Sequence, residues 1–205
     1  MLLQRPFEAI MPTLDGDVLL VLARADAAFT GGDLARLLPH ASPDGVRKAA
    51  QRLVEHGVVT MEQVGRAYNY RLNRQHLLAD AVLDIARAAE RLQERVHDHV
   101  QGWPHSPELV LLFGSAARGG MRADSDIDLL VVAEPRDGID EATADLADAV
   151  TGWTGNDARV VHLGPQEVRE ALAARDSFMD ELLTDGQVLW GPARYLQRLR
   201  REVRA

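Results

Sequence analysis

The chain has 205 residues, 46% of them hydrophobic and 26% charged, which fits a globular protein with an ordinary core and room for one large or two small domains. It holds no cysteine, so disulfides, thiolate metal sites and cysteine nucleophiles are excluded, and no apolar run reaches membrane-spanning length. The formal charge of −8 is uneven: residues 1–78 hold nine basic and eight acidic side chains, residues 79–205 fourteen and twenty-three. Only the first part is balanced enough to approach a polyanion, and the second needs a bound cation before it accepts an anionic ligand. The start MLLQRPFEAIMP has an acidic residue and a proline where a signal peptide needs an apolar core, so a cytoplasmic protein is expected.

The stretch 14–24, with Val18, Leu19, Leu20 and Leu22, predicts a first helix after Pro12. Thr30 is placed to cap a short second helix carrying Leu34, Leu37 and Leu38, which Pro39 ends. Ser42-Pro43-Asp44 supplies an N-cap, a first-turn proline and an acid suited to the helix dipole, and a third helix runs from there to about His56 and stops at Gly57. Val46, Ala50 and Leu53 recur at helical spacing and face inward, leaving Arg47, Lys48, Gln51, Arg52 and Glu55 exposed. Val58-Val59-Thr60-Met61 and Ala67-Tyr68-Asn69-Tyr70-Arg71-Leu72 read as two strands joined around Gly65-Arg66. Three helices and a hairpin in this order resemble the winged helix-turn-helix of bacterial transcription regulators, with LARLL, SPDGVRKAAQRLVEHGVV and YNYRLN carrying the likeness. The resemblance implies a DNA partner, met by Arg47, Lys48, Gln51 and Arg52 in or near a major groove and by Arg66 at the wing. The other reading of these side chains is a solvated helix face on a protein-contact module.

Residues 78–99 predict one long helix with Leu78, Val82, Ile85, Ala89, Leu92 and Val96 at alternating four and three spacing. Such a stripe either packs within the chain or pairs with its copy in a homodimer. Gln101-Gly102-Trp103-Pro104 breaks it. The expected organisation is therefore α+β with two domains: 1–77 a winged helix-turn-helix, 78–103 a linker helix, and 104–205 a second domain with a mixed sheet.

In that second domain the run Glu108-Leu109-Val110-Leu111-Leu112-Phe113 reads as a buried strand, and Gly114-Ser115 turns it into a short helix whose first N–H groups suit a phosphate. Ten residues later Asp126-Ile127-Asp128-Leu129 opens a strand to Val132, so both carboxylates leave one face and suit Mg²⁺. The block LFGSAARGGMRADSDIDLLVV resembles the DNA polymerase beta-like nucleotidyltransferases, most closely the minimal nucleotidyltransferase branch, and it matches the family pattern at Arg118-Gly119 and Ser125 as well. The resemblance implies an α/β nucleotidyltransferase domain that moves a nucleoside monophosphate from a triphosphate, ATP by default, to an acceptor hydroxyl. Asp126 and Asp128 would hold Mg²⁺ or Mn²⁺, and Gly114, Ser115, Arg118 and Ser125 would bind nucleotide. A protein acceptor, as in toxin–antitoxin pairs, is a known occupation of that branch.

Further on, 140–153 and 166–183 predict helices, Ala158-Arg159-Val160-Val161-His162 and Gln187-Val188-Leu189-Trp190 predict strands, and the sheet is expected to carry helices on one side. Relatives place a third carboxylate in the strand that here reads Ala158-Arg159-Val160-Val161, where the matching position is Arg159. Asp157 is the nearest acid, and it is either a third catalytic carboxylate at the strand edge or a turn residue. Two functions follow: an active transferase coupled to a DNA-binding module, or a transcription regulator whose transferase domain only senses nucleotide.

Overall fold

The computed structural model describes residues 1–204 and divides into two compact units, residues 2 and 4–88 in one and 1, 3 and 89–205 in the other. The division falls inside the stretch read as a linker helix.

The N-terminal unit runs α1 (Leu14–Arg24), β1 (Phe29–Thr30), α2 (Gly31–Leu37), α3 (Pro43–Glu55), β2 (Val59–Val64), β3 (Ala67–Leu72) and α4 (Ala79–Ala86). A 3-10 turn at Pro6–Ala9 precedes α1. The caps form as the side chains dictate: Thr30 and Asp33 make a reciprocal capping box on α2, and Ser42 accepts from the Gly45 amide at 3.1 Å on α3. The strands form an antiparallel sheet in the order β1-β3-β2, with the hairpin turning at Gly65 in the left-handed region. The two-residue β1 has no sequence signature, because Phe29 and Thr30 become a strand only by pairing with Tyr70 and Asn69. Leu22, Leu34, Val46, Ala49, Ala50, Val59 and Tyr70 form the core of this unit.

The predicted helix over 78–99 is two helices. Arg87, with φ −96 and ψ 21, leaves helical geometry and separates α4 from α5 (Ala88–Gln101). The stripe is correspondingly divided: Val82, Leu92 and Val96 are buried, whereas Leu78 and Ala89 are exposed. Helical spacing alone cannot reveal a break at a single residue whose amide still bonds to the Leu83 and Asp84 carbonyls.

The C-terminal unit continues with β4 (Leu109–Phe113), α6 (Gly114–Ala117), β5 (Ile127–Val132), α7 (Ile139–Thr154), β6 (Ala158–Leu163), α8 (Pro165–Ala174), α9 (Ser177–Asp185), β7 (Gln187–Trp190) and α10 (Tyr195–Arg204). The predicted helix 166–183 is α8 and α9, parted at Arg175, a non-glycine residue at φ 56, and at Asp176, which caps α9 through the Phe178 amide. The mixed sheet has the order β6-β5-β4-β7, with β5 and β6 parallel and the other neighbours antiparallel.

Helices cover both faces of this sheet rather than one. Leu109, Leu111, Leu130 and Val132 pack with Val168 and Leu172 of α8, Met179 and Leu182 of α9, and Leu196 and Leu199 of α10. Their strand neighbours Val110, Leu112, Leu129 and Val131 point the other way and are also buried, and α7 packs on β5 and β6. An apolar residue at almost every position of two central strands is the pattern of a sheet buried on both sides. Among the described residues no helix is long and apolar enough to cross a membrane.

Candidate active site

The Gly-Ser turn and the Asp strand meet because β4 and β5 are adjacent and antiparallel, which sets Phe113 opposite Asp128. Gly114 follows Phe113 at φ +69, and a Cβ built on it would lie 2.7 Å from Asp128 Oδ2. Glycine is required twice over, for the left-handed backbone and for the space the carboxylate fills. Ser115 turns into the four-residue α6, its carbonyl accepts from the Gly120 amide at 2.9 Å, and its hydroxyl bonds to no described side chain or backbone group.

Asp126 stands one residue before β5 at the end of a loop that hydrogen bonds hold firmly. Ser125 Oγ accepts from the Arg122 amide at 2.8 Å, and the Ser125 carbonyl accepts from Asn156 Nδ2 at 2.9 Å. The Ser125 hydroxyl oxygen is thus engaged in shaping the turn. Asn156 is buried and lies next to Asp157, whose carbonyl accepts from the Ile127 amide at 2.8 Å. Asn156 carries no motif signal; its positioning role depends on burial, which the pattern does not encode.

Two arginines make three ion pairs around the Asp pair. Arg159 Nη2 lies 2.8 Å from Asp126 Oδ2, reaching over from the β6 position that pairs with Asp128. Arg118 at the end of α6 is held by α9, at 2.5 Å from Glu181 Oε1 and 3.5 Å from Asp185 Oδ2. Gln187 Nε2 donates to the Ala117 carbonyl at 2.6 Å and fixes the same turn. Asp128 lies between these pairs without one of its own. Burial pushes its carboxyl above the ordinary carboxylate range, the negative charges of Asp126 and Glu181 push the same way, and Arg159 and Arg118 oppose them. Glu181 carries no motif signal, since its nearness to Asp128 comes from the packing of α9 on β4.

Two carboxylates on one strand edge, one of them destabilised as an anion by burial and by the other, suit a hard divalent cation. The pair therefore fits Mg²⁺ or Mn²⁺. Asp157 is exposed at the start of β6, on the strand edge beside Asp126, and among the described residues no three His, Asp or Glu side chains are gathered for a metal.

In the N-terminal unit four of the five predicted DNA-facing residues share the exposed side of α3, but three of them are ion-paired. Arg47 and Lys48 reach Asp44 at 2.7 and 2.9 Å, and Arg52 holds Asp15 of α1 through two bonds of 3.0 and 2.7 Å. Gln51 is exposed on the same helix, and Arg66 is exposed at the hairpin turn.

Residues 101–193 match the family model of Polymerase beta, Nucleotidyltransferase. No curated protein matches the chain. Among solved structures, a toxin–antitoxin crystal structure with AMP-PNP is 23% identical over 54% of this chain and 82% of that chain, with a TM-score of 0.41. A mutant MntA-HpeT toxin–antitoxin is 22% identical over 54% and 82%, with a TM-score of 0.41. A tri-AMPylated HEPN toxin of Shewanella oneidensis in complex with MNT antitoxin is 22% identical over 56% and 82%, with a TM-score of 0.38. The family match falls on the C-terminal unit, on the same segment as Gly114, Ser115 and the Asp126–Asp128 pair, and there the chain is similar to the Polymerase beta nucleotidyltransferases.

Proposed function

We propose that the C-terminal unit binds a nucleoside triphosphate, ATP by default, with Mg²⁺ and transfers its nucleoside monophosphate to an acceptor hydroxyl. The observation that carries this reading is the seating of the Asp128 carboxylate against the bare Cα of Gly114, with Asp126 on the same strand edge. This brings a phosphate-sized turn and a cation-binding pair into contact.

Asp126 and Asp128 would hold Mg²⁺, which when bound supplies positive charge to the phosphates. The Gly114-Ser115 backbone, with the Ser115 hydroxyl, grips the outgoing phosphates. Ser125 sets the direction of Asp126, and Arg118, fixed by Glu181, gives its charge to the rim of the site. In the transfer, the acceptor oxygen bonds to the α-phosphorus and the bond from that phosphorus to the α–β bridging oxygen breaks. Pyrophosphate leaves with the bridging oxygen. The hydroxyl proton passes to a carboxylate, for which Asp157 is the candidate on the strand edge.

For the N-terminal unit we propose DNA binding, supported by the order of three helices and a hairpin, with Arg47, Lys48, Gln51 and Arg52 on one helix face and Arg66 at the turn. The presence of Arg159 where a third acid would stand favours a second reading, in which the C-terminal unit senses nucleotide and regulates the DNA-binding unit. A protein acceptor and a homodimer remain parts of the first reading.

Incubation of the protein with Mg²⁺ and ATP labelled at the α-phosphate, with and without cell lysate, tests the proposal. Label on a macromolecule or small acceptor, absent with Asp126→Asn, is the expected result. Nucleotide binding without label transfer in any lysate supports the sensor, and no nucleotide binding overturns both.

A further inference from the structure

Arg159 occupies a position with one meaning in the sheet. It pairs with Asp128 in the parallel β5–β6 ladder, so its side chain leaves the face from which Asp128 leaves. Its guanidinium then reaches back to Asp126 at 2.8 Å, while the side chain as a whole is 70% exposed against 27% for Asp126. A planar fork of five N–H groups, with Nη2 ion-paired to Asp126 and the side chain largely open to solvent, retains donors for a second oxyanion.

The neighbouring charges limit what else the site needs. Arg118 is ion-paired with both Glu181 and Asp185, and Arg159 with Asp126. Asp128 alone among these acids has no cation in contact, and it faces the Gly114 backbone. One divalent ion held with Asp128 would supply the cation that Asp128 lacks. A second ion at Asp126 would have to displace the Arg159 guanidinium from its ion pair.

We propose that Arg159 takes the place of one divalent cation at Asp126, making this a site for a nucleoside triphosphate carried with a single metal ion. The guanidinium stays on Asp126 when nucleotide enters and offers its free N–H groups to the triphosphate oxygens. The acceptor's proton is then left to a carboxylate such as Asp157, because no second ion stands at Asp126 to lower the hydroxyl pKa. This rests on the reading of the Asp pair as a nucleotide site.

The experiment is a Mn²⁺ titration of the full chain followed by electron paramagnetic resonance, at saturating α,β-methylene ATP, which cannot transfer its monophosphate. Wild type is expected to bind one protein-associated Mn²⁺ per chain, Arg159→Lys also one, and Arg159→Asp two. Thermal melting of each variant verifies folding, and Arg159→Lys keeps the charge should the aspartate variant fail to fold. Two ions in wild type, one in a folded Arg159→Asp protein, or two in Arg159→Lys overturns the inference while the nucleotide site stands. If wild type retains no analogue at any Mn²⁺ concentration, the nucleotide reading fails, and the inference with it.

Discussion

Asp128 Oδ2 lies 2.7 Å from the point where a Cβ on Gly114 would stand, so the carboxylate and the glycine at the two ends of the motif fill one space. Gly114→Ala should be destabilised by about 1–2 kcal/mol for the left-handed alanine alone, and the displaced carboxylate should cost the protein its affinity for MgATP. Chemical denaturation and calorimetric titration measure the two effects. A variant with wild-type affinity would show that the close approach has no part in binding.

Asp126→Asn with Asp128→Asn should abolish Mg²⁺-dependent nucleotide binding and leave the fold intact. The free protein should gain stability at neutral pH. Asp128 has its pKa raised in the folded state, so its contribution is most favourable below the ordinary carboxylate range and is lost as pH rises through the raised value. Melting curves between pH 4 and 8 should therefore converge for wild type and double mutant at the acid end and separate above it.

Asp157→Ala tests the base. Its side chain is exposed, so the fold should not change, and MgATP affinity should stay within about twofold of wild type. Label transfer should fall by at least about a hundredfold, the lower bound of general-base effects. Transfer at the full rate would leave Asp157 as a strand-edge residue and assign the proton to another group.

Arg52 is exposed on α3 and ion-paired within its own unit. It holds Asp15 through two hydrogen bonds, and the pairing keeps the Asp15 carboxyl below its ordinary range against the opposing effect of burial. Arg47→Ala with Arg52→Ala should weaken binding to the protein's own promoter region and flatten its salt dependence by about two units or less. A gel-shift series over salt concentration measures it. Absence of DNA binding by wild type at every salt concentration would make this unit a protein-contact module.

Asp17 is the buried acid of the N-terminal unit. Burial pushes its carboxyl up, but hydrogen bonds from Arg5 at 2.9 and 2.8 Å and the contact with His40 at 3.0 Å outweigh it, and the net pKa is lowered. The associated stability is full above the ordinary carboxylate range and is lost as pH falls through the depressed value. Arg5→Ala should cost about 1–3 kcal/mol at neutral pH and less in acid. Denaturation at pH 3 and pH 7 checks both the size and the sign.

The first three helices of the N-terminal unit were legible because their starts and stops are local chemistry: Thr30, Ser42-Pro43 and Gly57 act on the backbone within a few residues of themselves. The strand–turn–strand around Gly114 and the Asp pair was legible for the same reason. What the sequence did not determine were the features made by distant chain segments meeting. The breaks at Arg87 and Arg175 interrupt helices whose spacing runs on without a flaw, and packing of each half sets them. Helices on one side of the sheet were expected, and the cover of both faces, like the assignment of each helix to a face, depended on tertiary packing. Residue types and spacing named Asp126, Asp128 and Arg159. Only the parallel register of β5 and β6 placed the Arg159 guanidinium on Asp126, and only the docking of α9 brought Glu181 to Arg118, because a charge acts through space and its partner need not be near in sequence.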